Sequence, residues 1–202
     1  MLLELADRTR PVAGRMPAAS TYAGELGPGL DLVRAARRPV VIAGSLAIRR
    51  NWGHELSRLN VPVFSTAAAK GLVDETLPHA AGVYTGSGLE LTPEVSLLPE
   101  ADVVVGLGLT ARQVLAVRPF ASPAINIEVV AAPGGEAFEF AARLPASGFE
   151  ELMATLRGKT WGLARLRSVL AELDGHLNEG FLPGSVFAAI DRRFSGSVRL
   201  VM

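Results

Sequence analysis

The stretch "ADVVVGLGLTARQVL", residues 101–115, decides the fold. Its three valines (103–105) make an apolar run without alternation, as expected of a strand covered on both faces. The run enters Gly106-x-Gly108-x-x-Ala111, and the apolar pattern from about Thr110 predicts a helix. Strand, glycine turn and helix in that order outline a dinucleotide-binding turn. There the first glycine makes the tight turn and the second lets the main chain approach a pyrophosphate. A small third residue lets helix and strand pack. Phosphate sits on the helix N-terminus, where unpaired N–H groups and the dipole favour anions. Gly106, Gly108 and Ala111 fit these roles, and Glu128 closes the next strand, where an acidic residue reaches a ribose hydroxyl. Short Gly-x-Gly matches also occur at ordinary strand-to-helix turns, and this strand is about the fourth in the chain. A nucleotide site and a turn that keeps only the shape both stand at this point.

Elements alternate on either side of that stretch. "DLVRAARR" predicts a helix ended by Arg37, Arg38 and Pro39, and "PVVIAG" (39–44) predicts a fully buried strand. "NWGHELSRLN" predicts a helix and "VPVFST" a strand, and residues 67–88 read as irregular. "LTPEVSLLPEA" then predicts a helix before the valine strand. After it come the strand "AINIEVV", a Pro-Gly-Gly turn, the strand "FEFAARL" and a helix in "GFEELMATLR". Short alternation of this kind implies right-handed crossovers. The predicted fold is α/β: a doubly wound, mostly parallel Rossmann-like sheet of five or six strands over residues 29–157. Residues 1–28 are linker-like, with Pro, Ala, Gly and Ser abundant from residue 11. The tail, 158–202, holds two amphipathic helical segments and a strand-like "SVRLVM".

Composition narrows the function. Twenty Lys and Arg balance twenty Asp and Glu, which argues against a nucleic-acid groove or a polybasic membrane surface. The absence of cysteine excludes thiolate catalysis and cysteine metal sites and suits a reducing cytoplasm. No run of apolar residues is long enough to span a membrane, and the start, with Glu4 and Asp7 among its apolar residues, is not expected to be a signal peptide. A cytoplasmic protein is expected.

Other chemistry is sparse. His54, His79 and His176 are isolated, with no second histidine at i+3 or i+4, so no metal site is expected. Gly44 stands alone in "AGSLAIRR", and Arg49 and Arg50 read as a solvated helix start. "STAAAKGL" lacks phosphate-loop spacing, and "YTGSG" (84–88) reads as a flexible turn able to touch a ligand. No catalytic residue is assigned. A stand-alone Rossmann oxidoreductase is disfavoured because no proton donor or hydride partner stands beside the turn.

The ordered set resembles the central domain of thiamine-diphosphate-dependent enzymes of the acetolactate synthase and pyruvate decarboxylase superfamily. It begins with "LDLVRAARRPVVIAGSLAIRRN" and continues through "ELSRLNVPVFSTAAAKGLVDETLPHAAGVYTGSG". There Lys70, Gly71, Glu75, Pro78 and Gly82 match a similar family run. "LLPEADVVVGLGLTARQV" and "FASPAINIEV" follow. No single motif is diagnostic, but the order is specific.

The resemblance implies that catalysis belongs to two other domains, which bind the pyrimidine and pyrophosphate ends of thiamine diphosphate with Mg²⁺. The tail is similar to the first helix and strand of the pyrophosphate domain and ends before that domain's signature; the N-terminal tract resembles the linker from the pyrimidine domain. The chain is therefore expected to be a non-catalytic assembly domain, as a homo-oligomer or with separate thiamine-diphosphate-binding chains, and to need no cofactor of its own. The alternative is a module holding FAD or an adenine nucleotide such as ADP through Gly44, Gly86, Gly106, Gly108, Arg112 and Glu128. The family's flavin pattern resembles Gly-Ala-Arg-Phe-Asp-Asp-Arg, whereas residues 106–112 here keep the second arginine, Arg112, and lose both aspartates. Its next strand ends Ile-Asp-Ile-Asp, and this one ends Ile127-Glu128-Val129-Val130. An empty or vestigial pocket is the expectation. The tail's apolar face (Leu163, Leu166, Val169, Leu170, Leu173, then Val186, Phe187 and Ile190) predicts self-association or folding back onto the sheet.

Overall fold

Parallel pairing of apolar runs obliges each connection to cross a face of the sheet. A computed structural model describes residues 26–128, 138–178 and 182–193. Its strands are β1 (Pro39–Ala43), β2 (Val63–Ser65), β3 (Ala80–Val83), β4 (Val103–Leu107), β5 (Ala124–Glu128) and β6 (Ala142–Pro145). They form one parallel six-stranded sheet in the order β3-β2-β1-β4-β5-β6. The chain winds outward from β1 to β3, returns to the middle, and winds the other way from β4. The reversal falls between β1 and β4, paired through Val41–Val105 and Ala43–Leu107.

Alternate residues of the buried strands feed two cores. Val41, Val63, Val105 and Ile125 face one side. The helices α1 (Leu26–Ala35), α2 (Ser45–Arg49), α3 (Gly53–Leu56) and α5 (Phe149–Arg157) cover it. Leu30 and Val33 of α1 and Phe149, Leu152, Met153 and Leu156 of α5 recur at helical spacing and are buried there. Val40, Ile42, Phe64 and Val104 face the other side. Leu97 of α4 (Pro93–Leu97) and Leu166 of α6 (Leu163–Asn178) close that face.

Four local expectations are corrected. The first helix ends at Ala35, before Arg37 and Arg38, because the N–H groups of both donate to the Asp102 carboxylate at 2.8 Å. The helix expected over 51–60 is only α3, with α2 preceding it. Asn51 separates the two in the left-handed region (φ 55°), and Trp52 turns inward to stack on Phe149 at 3.8 Å. Arg49 and Arg50 therefore stand at the end of α2, not at a helix start. The stretch 67–88, read as irregular, contains the edge strand β3, whose small residues and Gly82 (φ 81°) hide its pattern.

Leu166 and Val169 of the tail are buried, so α6 folds back onto the sheet. On α7 (Leu182–Arg193), Val186 and Phe187 stay exposed. Residues 1–25, Val129, Val130, the Pro-Gly-Gly turn and "SVRLVM" lie outside the described residues.

His79, just before β3, is buried, and its Nε2 has no partner among the described residues. Burial pushes its pKa below the ordinary 6.5, and a main-chain hydrogen bond at Leu56 opposes that only in part. The unfolded chain thus takes up this proton first as pH falls, so stability present above about pH 6.5 is lost below it. The melting temperature should drop between pH 7.5 and 5.5 by more in the parent than in His79→Gln. Equal drops in the two proteins would show that another group carries the acid sensitivity.

Candidate functional site

In an open parallel sheet, ligands bind beyond the carboxyl ends of the strands where the winding reverses. Here that crevice lies between the exits of β1 and β4. Gly44 leaves β1 in extended conformation and its N–H donates to the Leu107 carbonyl at 3.1 Å. Gly108 leaves β4 at φ 69° and its N–H donates to the Ile127 carbonyl at 2.9 Å. The two exits touch. A Cβ added at Gly44 would stand 2.4 Å from the Gly108 carbonyl oxygen.

Protein atoms already fill the approaches that these glycines open. A Cβ at Gly108 would meet Leu46 Cβ at 2.3 Å, and one at Gly106 would meet Asn126 Oδ1 at 2.5 Å. Gln113 lies across the crevice. Its Nε2 donates to Ser45 Oγ at 2.8 Å and to the Gly108 carbonyl at 3.3 Å. Its Oε1 accepts from the Ser45 N–H at 3.4 Å and from Thr66 Oγ1 at 3.5 Å. An amide oxygen thus receives the N–H group at the start of α2.

The helix expected from Thr110 is absent, which corrects that expectation. Only a single turn, Ala111–Gln113, follows Gly108, between extended Thr110 and extended Val114. Val114 and Val117 turn instead toward the core behind β2 and β4. The glycine turn therefore has no long helix behind it.

Of the expected residues, the fold gathers Gly44, Gly106 and Gly108 at the crevice. Glu128 ends β5 close by and is buried. Its Oε1 accepts from Asn126 Nδ2 at 2.8 Å and from Arg143 at 2.6 Å, while Oε2 has no partner among the described residues. Arg112 is exposed on the short turn. Gly86 lies beyond β3, two strands away, and the chain at Ala116 passes directly over it.

Two residues missed in the sequence organise the site. Asn126 takes the Leu109 N–H on Oδ1 at 3.0 Å and returns Nδ2 to the Leu109 carbonyl at 3.2 Å, which fixes the turn after β4. Its signal is a lone amide inside an apolar strand. Gln113 carries no such signal, because polar residues are common on predicted helices. The net is made of amides and hydroxyls, with no paired nucleophile and base. No group of metal-ligating side chains occurs among the described residues.

Residues 29–145 match the family model described as thiamine pyrophosphate enzyme, central domain. The chain belongs to this family. It is 38% identical to a pyruvate decarboxylase of Candida albicans over 38% of this chain and 14% of that one. A probable acetolactate synthase large subunit of Methanococcus aeolicus is 28% identical over 47% of this chain and 16% of its own. A probable 2-ketoarginine decarboxylase of Pseudomonas aeruginosa is 33% identical over 50% and 18%, respectively. The aligned region is thus under a fifth of each relative's length. No helix among the described residues is long and apolar enough to cross a membrane.

The contact at the reversal gives a direct test. Gly108→Ala adds a Cβ where Leu46 stands and forces a positive φ on an L side chain. It should cost roughly 3 kcal/mol in urea unfolding. Gln113→Ala, which only removes hydrogen bonds, should cost about 1 kcal/mol. Equal effects would mean that the two exits are not in tight contact.

Proposed function

We propose that this chain is a non-catalytic packing and assembly domain of a thiamine-diphosphate-dependent, acetolactate synthase-like enzyme. Thiamine diphosphate and Mg²⁺ are then held by other domains or chains, and the carbanion chemistry is the cofactor's. The observation carrying this reading is the crevice between β1 and β4. Leu46, Asn126 and Gln113 of this chain occupy the spaces around the three glycines where a pyrophosphate would approach.

One observation favours a module that holds FAD or an adenine nucleotide. Glu128 Oε2 is buried without a partner at the end of β5, where a ribose hydroxyl would reach. Against it stand the missing helix after Gly108 and the distance of Gly86 from the crevice. Calorimetric titration with FAD, ADP and thiamine diphosphate separates the readings. The packing role predicts no heat from any of the three. Micromolar binding of FAD or ADP, about −8 kcal/mol, would make the crevice a working nucleotide site instead.

Assembly needs a surface, and α7 offers one. Val186 and Phe187 are 50% and 42% exposed, and Leu170 of α6 is 37% exposed. A second copy of this chain, or a separate thiamine-diphosphate-binding chain, is proposed to cover them. In sedimentation velocity, the double variant Val186→Asp, Phe187→Asp should associate at least about tenfold more weakly than the parent, with an unchanged urea midpoint. A parent that stays monomeric at high concentration, alone and with such a partner, would remove α7 as the assembly surface.

A further inference from the structure

A second cavity, of about 240 Å³, opens on the opposite face of the sheet from α2, between the loop after β3 and the crossover from β4 to β5. The loop, Thr85–Gly88, is rigidly held. Glu94 of α4 is buried and spends both carboxylate oxygens on it. Oε2 accepts from the N–H groups of Thr85 at 2.8 Å and Gly86 at 3.2 Å. Oε1 accepts from Thr85 Oγ1 and the Gly88 N–H, each at 2.9 Å. Four donors fill a carboxylate's acceptor sites. Across the cavity, the N–H groups of Leu115 and Ala116 donate to the Thr85 carbonyl at 2.9 and 3.2 Å. That pairing fixes the crossover as the far wall.

Two polar groups remain uncommitted there. Tyr84 is 2% exposed, with its ring against Phe64 and Phe120, and its hydroxyl has no hydrogen-bond partner among the described residues. That hydroxyl lies 3.5 Å from where a Cβ on Gly86 would stand, so the missing side chain leaves it open to the cavity. Burial, then the nearby Glu94 charge, raises the Tyr84 pKa to about 12, against a lesser opposing effect of Arg118. It is therefore a neutral donor at physiological pH. The guanidinium of Arg118 lies over Gly88, where a Cβ would come within 2.3 Å of it. No acceptor within the described residues pairs with it. Gly86 and Gly88 both hold positive φ (68° and 65°), so both lack of a Cβ and backbone freedom are needed for this floor.

Glu94 also lines the cavity, with both its oxygens taken by the loop, and the apolar walls include Val95, Leu98, Pro99 and Phe120. Unused donors beside apolar walls select a ligand with an anionic head and an apolar body. A planar carboxylate matches a guanidinium in two parallel hydrogen bonds. A cavity of about 240 Å³ lies below the usual range of drug-sized sites and suits a small organic acid.

We propose that this cavity binds a small apolar carboxylate, whose head is taken by Arg118 and the Tyr84 hydroxyl and whose body lies against Val95, Leu98 and Phe120. The site is separate from the crevice at Gly44 and Gly108, so it stands or falls apart from the packing role.

The test is titration of the full chain with benzoate, isobutyrate, isobutyramide and inorganic phosphate, followed by ¹H–¹⁵N NMR. Benzoate and isobutyrate should move the Gly86 and Gly88 amide signals saturably, with millimolar or tighter affinity. Isobutyramide, which has the body without the charge, should not. Arg118→Gln, an exposed position, should weaken binding roughly tenfold or more, and Tyr84→Phe about fivefold. Three outcomes would overturn the proposal. The first is no shift from either carboxylate up to about 20 mM, well beyond the millimolar affinity expected. The second is unchanged affinity in Arg118→Gln. The third is phosphate acting as strongly as isobutyrate at the same signals, which marks a bare cation on the rim.

Discussion

The main-chain contact between Gly44 and Gly108 is the constraint on which the centre of this molecule depends. Parallel strands β1 and β4 pair in register up to Ala43 and Leu107, so their exits leave side by side. With a Cβ on Gly44 only 2.4 Å from the Gly108 carbonyl oxygen, no side chain fits between them. The departing chains must then diverge. One turns at once into α2, and the other passes Leu109 into the short turn that carries Gln113. Leu46 drops into the angle between them. The glycines that permit a pyrophosphate in other sheets here permit contact of protein with protein.

Buried polar groups follow the same logic. Asn126, Glu128 and Glu94 are buried, and each is spent on holding a loop or a neighbouring strand. Asn126 copies a main-chain pair with Leu109, and Glu94 gathers three N–H groups of one loop. Such bonds stabilise mainly by avoiding the large cost of leaving buried donors unpaired. Exceptions among the described residues are His79 Nε2, Ser122 Oγ and Glu128 Oε2, and the Tyr84 hydroxyl is also unpaired. The Tyr84 hydroxyl lines the cavity that Arg118 also lines.

The sheet was legible because buried parallel strands announce themselves. "VVIA", "VVVGL" and "AINIE" are apolar runs bounded by turns, and each forms a strand buried along its full length. α5 was legible for the same reason, through Phe149, Leu152, Met153 and Leu156. What failed depended on partners distant in sequence. Asp102 shortened α1 from 64 and 65 residues away, and Trp52 left its helix to stack on Phe149. β3 is an edge strand of small residues, whose pairing to β2 supplies what its own pattern lacks. At the crevice the three glycines were visible and their neighbours were not. No local pattern tells whether a glycine makes room for a ligand or for Leu46.

One departure links the two sites. Had a helix followed Gly108, its N-terminus would have faced the crevice and its body would have covered the second face. Instead the chain is extended at Val114, and Leu115 and Ala116 pair with Thr85. No long helix N-terminus then faces the crevice from β4, and Gln113 lies across it. The same extended path carries Arg118 and Phe120 over the loop that Glu94 holds, where they become walls of the cavity. The lost helix and the gained cavity thus have a single cause, the path of residues 114–121.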